Sequence, residues 1–431
     1  MNCISSLKVR ASLLCLVCCA ACGAQVSESL VPSDPLTYRL DYRVDPDPMT
    51  AVVTVTLTVS QNTALLREMK MRPDARISNL KADGTLDIRD AGVRWLPPVT
   101  GGAMSWQVNV AHRRNGDGYD AWLGADWGLF RAEDIIPRAA TRTLKNARSE
   151  SWITFRLPRG WAVVSQYFSR NGQSRIDIPE RRFDQPSGWI VLGDLGVRRE
   201  TITGVRVAVA GPVSNSVRRM DTLALLNWTL PELARLLPEL PSRLTIVSAG
   251  EPMWRGGLSA PQSLFIHAGR PLISENATST VLHEVMHLAL ALDTQDGYDW
   301  IAEGLAEYYS LQLLRRSGTI SESRYALARA DLADWATTAS SLCRQSSSGA
   351  TTALAVGILA ALDEEIRELT TSDASLDSVV VDLVQLDEPI NLGTLTAISE
   401  QIAANKVDAL HIDKLPGCRT IATGEQGTTS N

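Results

Sequence analysis

The stretch His283-Glu284-Val285-Met286-His287, followed by Trp300-Ile301-Ala302-Glu303-Gly304, decides how this chain is interpreted. On a helix, residues four apart lie on the same face, so His283 and His287 can close on one metal ion. Glu284 then lies beside the metal, where it can deprotonate a bound water. A carboxylate from a second helix would complete three protein ligands and leave the fourth position open. The spacing predicts a hydrolytic site with one Zn²⁺ per chain.

The surroundings of the motif support a metal. Every residue from Val281 to Leu292, apart from the two histidines and the glutamate, is apolar, which indicates a helix buried on most sides. Ionisable groups on such a helix are costly unless they are paired or bound to a metal ion. The alternative, in which backbone carbonyls satisfy two core histidines, is the weaker interpretation.

Two glutamates compete to be the third ligand on a second helix, predicted from about Trp300 to Arg316. Glu303 and Glu307 are four residues apart, so both can face the first helix. We expect Glu303 to bind the metal, because Gly304 beside it would let the two helices approach closely. Glu307 would then accept a hydrogen bond from the other ring nitrogen of a zinc-binding histidine. A solvated carboxylate is the alternative for Glu307.

At these residues the chain resembles the gluzincins, in particular the glycyl aminopeptidase family, which is related to the alanyl aminopeptidases. The resemblance rests on H-E-x-x-H, on W-x-x-E-G-x-x-x-Y-Y from Trp300 to Tyr309, and on four flanking motifs: Leu157-Pro158-x-Gly160-Trp161, Gly256-Gly257-Leu258-Ser259-Ala260-x-x-Ser263, Leu362-Asp363-x-x-Ile366-Arg367-x-x-Thr370 and Ser375-Leu376-Asp377-x-Val379. It implies a zinc metallopeptidase with a thermolysin-like catalytic domain. Gly257, Leu258 and Ser259 would lie on its substrate-binding strand. Relatives often carry a PDZ domain, but the residues after Leu386 are too few for one.

The chain departs from this family at substrate-side positions. Ser259 replaces the glutamate that holds the substrate's free amine in relatives, and Ala260 replaces the following histidine. Thr352 stands where a tyrosine normally donates to the oxyanion, a loss that costs on the order of 3 kcal/mol. The groups that could replace this donor, each more readily explained by packing or exposure, are Tyr298, Tyr308, Tyr309, Tyr325 and His411. His267 could line the cleft, although a partly exposed strand histidine is the better interpretation.

Two functions therefore remain open. The first is zinc-dependent peptide-bond hydrolysis with Glu284 as the base, acting on a peptide or protein substrate. Loss of the amine anchor favours an endo- or oligopeptidase over an aminopeptidase. The second is a peptidase-derived binding or scaffold protein that keeps its zinc but has lost or weak catalysis. The sequence indicates neither the substrate sequence nor the oligomeric state.

Residues 1–22 have the pattern of a lipoprotein-type signal peptide. Lys8 and Arg10 precede an apolar run, Ala11 to Ala21, that is too short to span a bilayer. Cys19-Ala20-Ala21-Cys22 resembles a bacterial lipobox, so we expect lipidation at Cys22. Simple cleavage to a soluble protein is the alternative. Lipidation would place the protein in the bacterial cell envelope, on the periplasmic side, whereas simple cleavage would leave it soluble in the periplasm or secreted.

Cysteine use and charge agree with that location. Five of the seven cysteines belong to the leader, and the remaining Cys343 and Cys418 are expected to form a disulfide in an oxidising envelope. The net charge is -6, or -8 once Lys8 and Arg10 leave with the leader. A mildly acidic chain without basic blocks argues against nucleic-acid binding. Membrane contact is expected only through the lipid on Cys22.

The chain divides by pattern into two domains of an α+β protein. Residues 36–210 show two-fold periodicity and predict an antiparallel β-sandwich, with Val53, Val55, Leu57 and Val59 facing inward. Residues 213–420 are predicted to be mostly helical and would form the thermolysin-like zinc peptidase domain that the resemblance implies, and residues 421–431 are predicted to be a disordered tail. The strands predicted outside the Val53 segment are Trp106–Val110, Ile153–Leu157, Thr201–Val209 and Leu244–Ser248. The helices predicted outside the zinc site are Asn215–Leu237, Ser321–Ala339, Thr351–Leu369 and Ser375–Leu386.

Overall fold

The computed structural model describes residues 36–89, 92–114, 118–167, 169–170, 172–176 and 183–418. The predicted leader, Cys22 and the predicted tail lie outside these residues. The strands are β1 (Thr37–Asp47), β2 (Val52–Ser60), β3 (Leu66–Met71), β4 (Ile77–Ala82), β5 (Thr85–Arg89), β6 (Gly92–Leu96), β7 (Gly101–Asn109), β8 (His112–Arg114), β9 (Gly118–Leu123), β10 (Trp127–Arg131), β11 (Ala139–Thr143), β12 (Arg148–Phe155), β13 (Ala162–Ser165), β14 (Ser169–Arg170), β15 (Gln173–Ile176), β16 (Trp189–Gly193), β17 (Leu195–Ile202), β18 (Val205–Pro212), β19 (Arg243–Ala249), β20 (Gly257–Ala260) and β21 (Ser263–His267). The helices are α1 (Ala132–Ile135), α2 (Arg219–Leu236), α3 (Thr280–Leu290), α4 (Asp299–Arg316), α5 (Glu322–Ala336), α6 (Ala350–Leu369), α7 (Leu376–Leu383), α8 (Leu392–Ala403) and a short 3₁₀ turn (Ile412–Lys414).

The amino-terminal part is built from three sheets over a shared core. Within the described residues their strand orders are β14-β15-β12-β1-β2-β7-β4, β13-β16-β10-β9-β8 and β11-β3-β6-β5. Every second side chain of β2 is buried, as the alternation of Val and Leu with Thr predicts. Trp95, Trp106 and Phe130 fill the core between the sheets. The pairing is mostly antiparallel, but β1 runs parallel to β12, which corrects the prediction of a purely antiparallel sandwich.

A fourth sheet connects this part to the helices, with strand order β17-β18-β19-β21-β20. The predicted single strand from Thr201 to Val209 is wrong. The chain turns at Thr203 and Gly204, which have φ values of 47° and 85°, so β17 and β18 form an antiparallel hairpin. β18 then pairs in parallel with β19, so both strands of the hairpin join the sheet that carries β20 and β21. The predicted domain limits 36–210 and 213–420 remain predictions.

The helices of eight or more residues follow the sequence prediction with two exceptions. α2 begins at Arg219 rather than near Asn215, because residues 213–218 form a turn followed by irregular chain. α8 was not predicted, although Asn391 caps it by accepting a hydrogen bond from the Thr394 backbone N–H at 3.0 Å. A β-rich part followed by a helical part confirms the α+β class, whereas the thermolysin-like assignment remains a prediction. None of the helices in the described part of the chain is long and apolar enough to cross a bilayer.

A disulfide ties the end of the described chain to the helical part. Cys343 and Cys418 are joined with a Cα–Cα distance of 5.0 Å, closing a sequence separation of 75 residues. Both cysteines pack against the core formed by the helices and the fourth sheet. The last described residues are therefore held covalently beside the segment between α5 and α6.

Candidate metal centre

Helix α3 places its two histidines on one face. Ser279 caps the helix by accepting a hydrogen bond from the Leu282 backbone N–H at 3.3 Å, and the helix ends at Ala291, which has a left-handed conformation. The Nε2 atoms of His283 and His287 lie 3.0 Å apart. The cap fixes where the helix begins, and the four-residue spacing then directs both rings toward the same point.

Helix α4 supplies a carboxylate to that point. Glu303 places Oε2 3.4 Å from Nε2 of His283, and Oε1 3.2 Å from Nε2 of His287. At zinc–ligand distances of about 2.0–2.2 Å, the donors of a tetrahedral site lie about 3.3–3.5 Å apart. Among the described residues, these three form the one group of His, Cys, Asp and Glu side chains that converges closely enough to hold a metal ion. The donor set fits Zn²⁺.

Glu307 lies one helical turn beyond Glu303 and contacts a different atom. Its Oε2 is 2.9 Å from Nδ1 of His283, the ring nitrogen that faces away from the converging donors. Its Oε1 is buried and has no hydrogen-bond partner within the described residues. The geometry thus separates the two competing glutamates: Glu303 faces both Nε2 atoms, and Glu307 orients the His283 ring.

Electrostatics couple these groups. Burial disfavours charge on His283, but its hydrogen bonds with Glu303 and Glu307 outweigh burial and raise the pKa of the imidazole. Burial opposes ionisation of Glu303 as well, yet the hydrogen bonds from both histidines lower the pKa of its carboxyl. The carboxylates therefore place negative charge where a cation would bind.

Glu284 points to the neighbouring strand instead of the converging donors. Burial raises the pKa of its carboxyl against the opposing effect of the two histidines, and the nearby Ser259 backbone N–H lowers it slightly. Gly257 on the same strand leaves room for it, because a Cβ there would lie 2.9 Å from Cγ of Glu284 and 2.7 Å from Cγ2 of Thr280. A buried carboxyl with a raised pKa suits a group that takes up and returns a proton.

The strand that contacts Glu284 is the edge of the fourth sheet. β20 pairs with β21 on one side, and no described strand pairs with its other side. The His267 N–H donates to the Gly256 carbonyl, so in this antiparallel pair Gly257 and Ser259 direct their backbone groups outward. The Leu258 carbonyl accepts a hydrogen bond from Trp189 Nε1 of the amino-terminal part at 2.9 Å. The sequence does not predict this support from Trp189, since a contact between distant segments leaves no local signal.

Gly304 was expected to let α4 approach α3 closely, but it faces a different helix. A Cβ on Gly304 would lie 2.7 Å from Cβ of Ala355 and 2.9 Å from Cδ1 of Leu359, both on α6. Gly304 therefore lets α4 pack against α6. The approach of α4 to α3 does not depend on it.

Three of the candidate replacements for the missing tyrosine make hydrogen bonds away from the converging donors. The hydroxyls of Tyr308 and Tyr309 donate to Asp363 and Asp377, each at 2.9 Å. The hydroxyl of Tyr325 accepts from Gln312 at 2.9 Å. Thr352 is buried on α6, Tyr298 precedes the first turn of α4, and His411 is exposed near Asp413.

His267 corrects a prediction. It was expected to be partly exposed, but its side chain is buried, and burial lowers the pKa of the imidazole. Its Nδ1 accepts the Gly269 backbone N–H at 3.0 Å. The residue closes β21 and shows no contact with the converging donors.

Comparison with known proteins defines the class of fold. No protein-family model matches the chain, and no curated protein matches it. Its fold, however, is that of solved M1 zinc metallopeptidases.

An aminopeptidase N family protein from Idiomarina loihiensis superposes with a TM-score of 0.60 and 18% identity, over 80% of this chain and 70% of the other. The M1 zinc metallopeptidase of Deinococcus radiodurans gives a TM-score of 0.55 and 16% identity, over 91% and 96%. A mutant of the latter, bound to a Tyr-Ser-Ala substrate, gives 0.54 and 16%, over 88% and 95%. At these identities the likeness concerns the fold.

Proposed function

We propose that this protein is a zinc-dependent peptidase. The observation that carries the proposal is the convergence of His283, His287 and Glu303 at donor separations of 3.0–3.4 Å, with Glu284 buried beside them. A site that only stabilised the fold would have no use for a fourth, proton-accepting carboxyl at this place. The fold shared with M1 zinc metallopeptidases agrees with this chemistry.

In the proposed reaction the protein's own groups bind, orient and move protons. Zinc, when bound, would act as a Lewis acid that lowers the pKa of water and polarises a carbonyl group. Glu284 accepts the proton of the attacking water and returns it to the leaving amine, for which its raised pKa is suited. Glu307 holds the His283 ring through its contact with Nδ1.

We propose that the substrate is a peptide bound along the free edge of β20. The outward N–H and C=O groups of an edge strand pair readily with an extended chain, which gives affinity without demanding a sequence. The neighbour from Deinococcus radiodurans binds the peptide Tyr-Ser-Ala. Ser259 lacks the carboxylate that would hold a free amino terminus, so cleavage inside oligopeptides is favoured over removal of single amino-terminal residues.

The location of the protein is a further part of the proposal. The leader pattern and the Cys19-Ala20-Ala21-Cys22 segment favour a lipoprotein on the periplasmic side of the bacterial envelope. Metabolic labelling with a fatty-acid analogue tests this directly. Label should appear on the wild-type chain and be absent from Cys22→Ser, and equal labelling of both would refute lipidation at this cysteine.

The decisive experiment for the activity is hydrolysis of a mixed peptide library by the zinc-loaded protein. Glu284→Gln should keep its zinc and lose turnover, because the amide preserves the shape of the side chain but cannot accept the proton. Glu275→Gln is the matched control, since Glu275 is an exposed residue before α3. Cleavage by Glu284→Gln at the wild-type rate would refute the mechanism.

A binding protein or scaffold with weak catalysis is the second candidate. It is favoured by one observation: the hydroxyls of Tyr308 and Tyr309 already donate to aspartates, and Thr352 stands where relatives use a tyrosine. A protein that holds one zinc per chain and cleaves no peptide in the library would establish this alternative.

A further inference from the structure

The outer face of the four-stranded sheet β11-β3-β6-β5 carries a groove of about 900 Å³. It lies in the amino-terminal part and includes none of the residues of the candidate metal centre. Its charged lining residues are Lys70, Arg72, Arg89, Arg94, Arg138 and Asp87. Five cations and one carboxylate therefore line a single groove on a chain whose overall charge is -6. We call this surface the basic groove.

Strand register places these side chains on one face in two rows. In the first row Lys70 lies opposite Arg94, and Arg94 lies opposite Asp87. The second row is shifted by two residues along each strand, which returns to the same face of the sheet. In this row Arg89 lies opposite Gly92. Arg138 directly precedes β11 and Arg72 directly follows β3, and both line the same groove. The charged side chains at this end of the groove are therefore all arginines.

Nearby carboxylates neutralise the positive charge of the first row. They leave most of the positive charge of the second row unpaired. Glu68 accepts from Arg94 at 2.8 Å, and Asp87 pairs with Arg89 at 2.8 Å. Arg72 and Arg138 have no ion pair with any carboxylate of the described residues, and both are exposed. Asp90, the next acidic residue in the sequence, lies outside the described residues. Repulsion between such neighbouring cations is relieved when an anionic partner binds.

Gly92 packs its backbone closely against the end of β3 at the floor of the groove. Its φ is +133°, and a Cβ there would lie 2.5 Å from the Met71 carbonyl oxygen. The same Cβ position is 3.4 Å from Cγ of Arg72, so Arg72 lies beside Gly92. Because Gly92 bears no side chain, the arginines on either side of it can reach a shared anionic group from two strands.

We propose that the basic groove docks the protein onto an anionic phospholipid surface. Basic side chains near such a surface bind it by electrostatic attraction, and arginine matches phosphate oxygens through paired N–H donors. This surface is distinct from the lipid on Cys22: it would orient a tethered protein as well as add to its membrane affinity.

The covalent geometry permits both contacts at once. Thirteen residues separate Cys22 from Leu36, a span of at most about 45 Å when extended. The carbonyl of Leu36 accepts from the Arg148 N–H at 3.0 Å, and the Ala147 N–H bonds to the Leu144 carbonyl at 3.0 Å. Leu144 directly follows β11, whose five residues extend about 17 Å toward Arg138. The tether is therefore long enough for the basic groove to contact the membrane while Cys22 is anchored in it.

The test is vesicle co-sedimentation of the full chain. One set of vesicles contains phosphatidylcholine alone, and the other contains phosphatidylglycerol as well. The test variant carries Arg72→Gln, Arg89→Gln and Arg138→Gln. The control carries Arg159→Gln, Arg198→Gln and Arg344→Gln, which removes the same charge from exposed positions outside the groove. Circular dichroism checks that both variants fold, and every protein includes Cys22→Ser so that no lipid is attached.

The expected result is a preference for phosphatidylglycerol vesicles that falls about a hundredfold in the test variant and much less in the control. Each basic residue near an anionic bilayer contributes about a factor of five, and added salt should weaken the binding further. Equal loss in both triple variants would overturn the proposal, as would the absence of any phosphatidylglycerol preference. Groove-dependent binding of polyglutamate without vesicle binding would assign the surface to an acidic polypeptide instead and overturn the lipid assignment.

Discussion

Substitution of Glu307 by glutamine tests whether the metal centre is organised as the structure indicates. Glu307 contacts only the outer nitrogen of His283, at 2.9 Å, whereas Glu303 faces both inner nitrogens. We therefore expect Glu307→Gln to weaken zinc binding without abolishing it. Glu303→Ala removes a donor from the converging set and should release the metal.

The expected magnitude follows from the strength of the hydrogen bond between Glu307 and His283. A hydrogen bond to a charged group contributes about 1.5–3 kcal/mol, and glutamine retains the shape of the side chain and an acceptor oxygen but not the charge. Removing such an orienting partner typically lowers metal affinity by about 10- to 100-fold, equivalent to about 1.4–2.7 kcal/mol. The two estimates agree, so the expected decrease in zinc affinity lies in that interval.

Competition with a chromophoric chelator measures zinc affinity over this range. Glu368→Gln is the matched control, because Glu368 is an exposed helical glutamate remote in sequence from the zinc helices. Affinity within twofold of wild type for Glu307→Gln would refute an orienting role. A decrease larger than that of Glu303→Ala would show that Glu307 is the ligand and reverse the assignment.

Three further predictions concern the surrounding structure. Gly257→Ala should push Glu284 from its position and lower kcat by about 10- to 100-fold with zinc retained, as steady-state kinetics and metal analysis would show, and an unchanged kcat would contradict it. Cys418→Ser opens the 75-residue loop and should lower the free energy of unfolding by about 2–4 kcal/mol in urea titrations, whereas an effect below about 1 kcal/mol would not fit. Hydrogen bonds from arginines lower the pKa of Glu68 to about 2 from its usual 4.5, so its stabilising effect is complete above pH 4.5 and disappears as the pH falls toward 2. The stability difference between wild type and Glu68→Gln should shrink over that interval, and a constant difference would count against it.

The convergence of the two histidines could be predicted from the sequence because it is local. Two histidines four residues apart on one helix need no tertiary information to share a face. The choice between Glu303 and Glu307 as the ligand could not be made from local information, since both lie on the same face of α4. Only the packing of α4 against α3 decides which carboxylate meets the inner nitrogens. Gly304 illustrates the same limit: its need for space was predictable, but the helix that fills the space was not.

Strand positions were predictable where alternation was regular, as in β2, and strand partners were not. The turn at Thr203 and Gly204 interrupts a run of alternating residues without a strong turn signal, so one predicted strand proved to be a hairpin. His267 was expected to be partly exposed because its strand lies near the edge, yet β20 covers β21 on that side. Such errors arise from pairing between distant segments, which a local pattern does not report.

The parallel pairing of β1 with β12 has a consequence for how the chain reaches this structure. β1 meets β2 across a short turn, but its other side joins residues 148–155, more than a hundred positions later. During synthesis that side of β1 has no partner until β12 has emerged, and such contacts between distant segments form slowly. An exposed strand edge with alternating apolar side chains is a template for pairing with other chains. The first described strand, β1, is therefore a segment that needs protection from other chains while the residues up to β12 are being made.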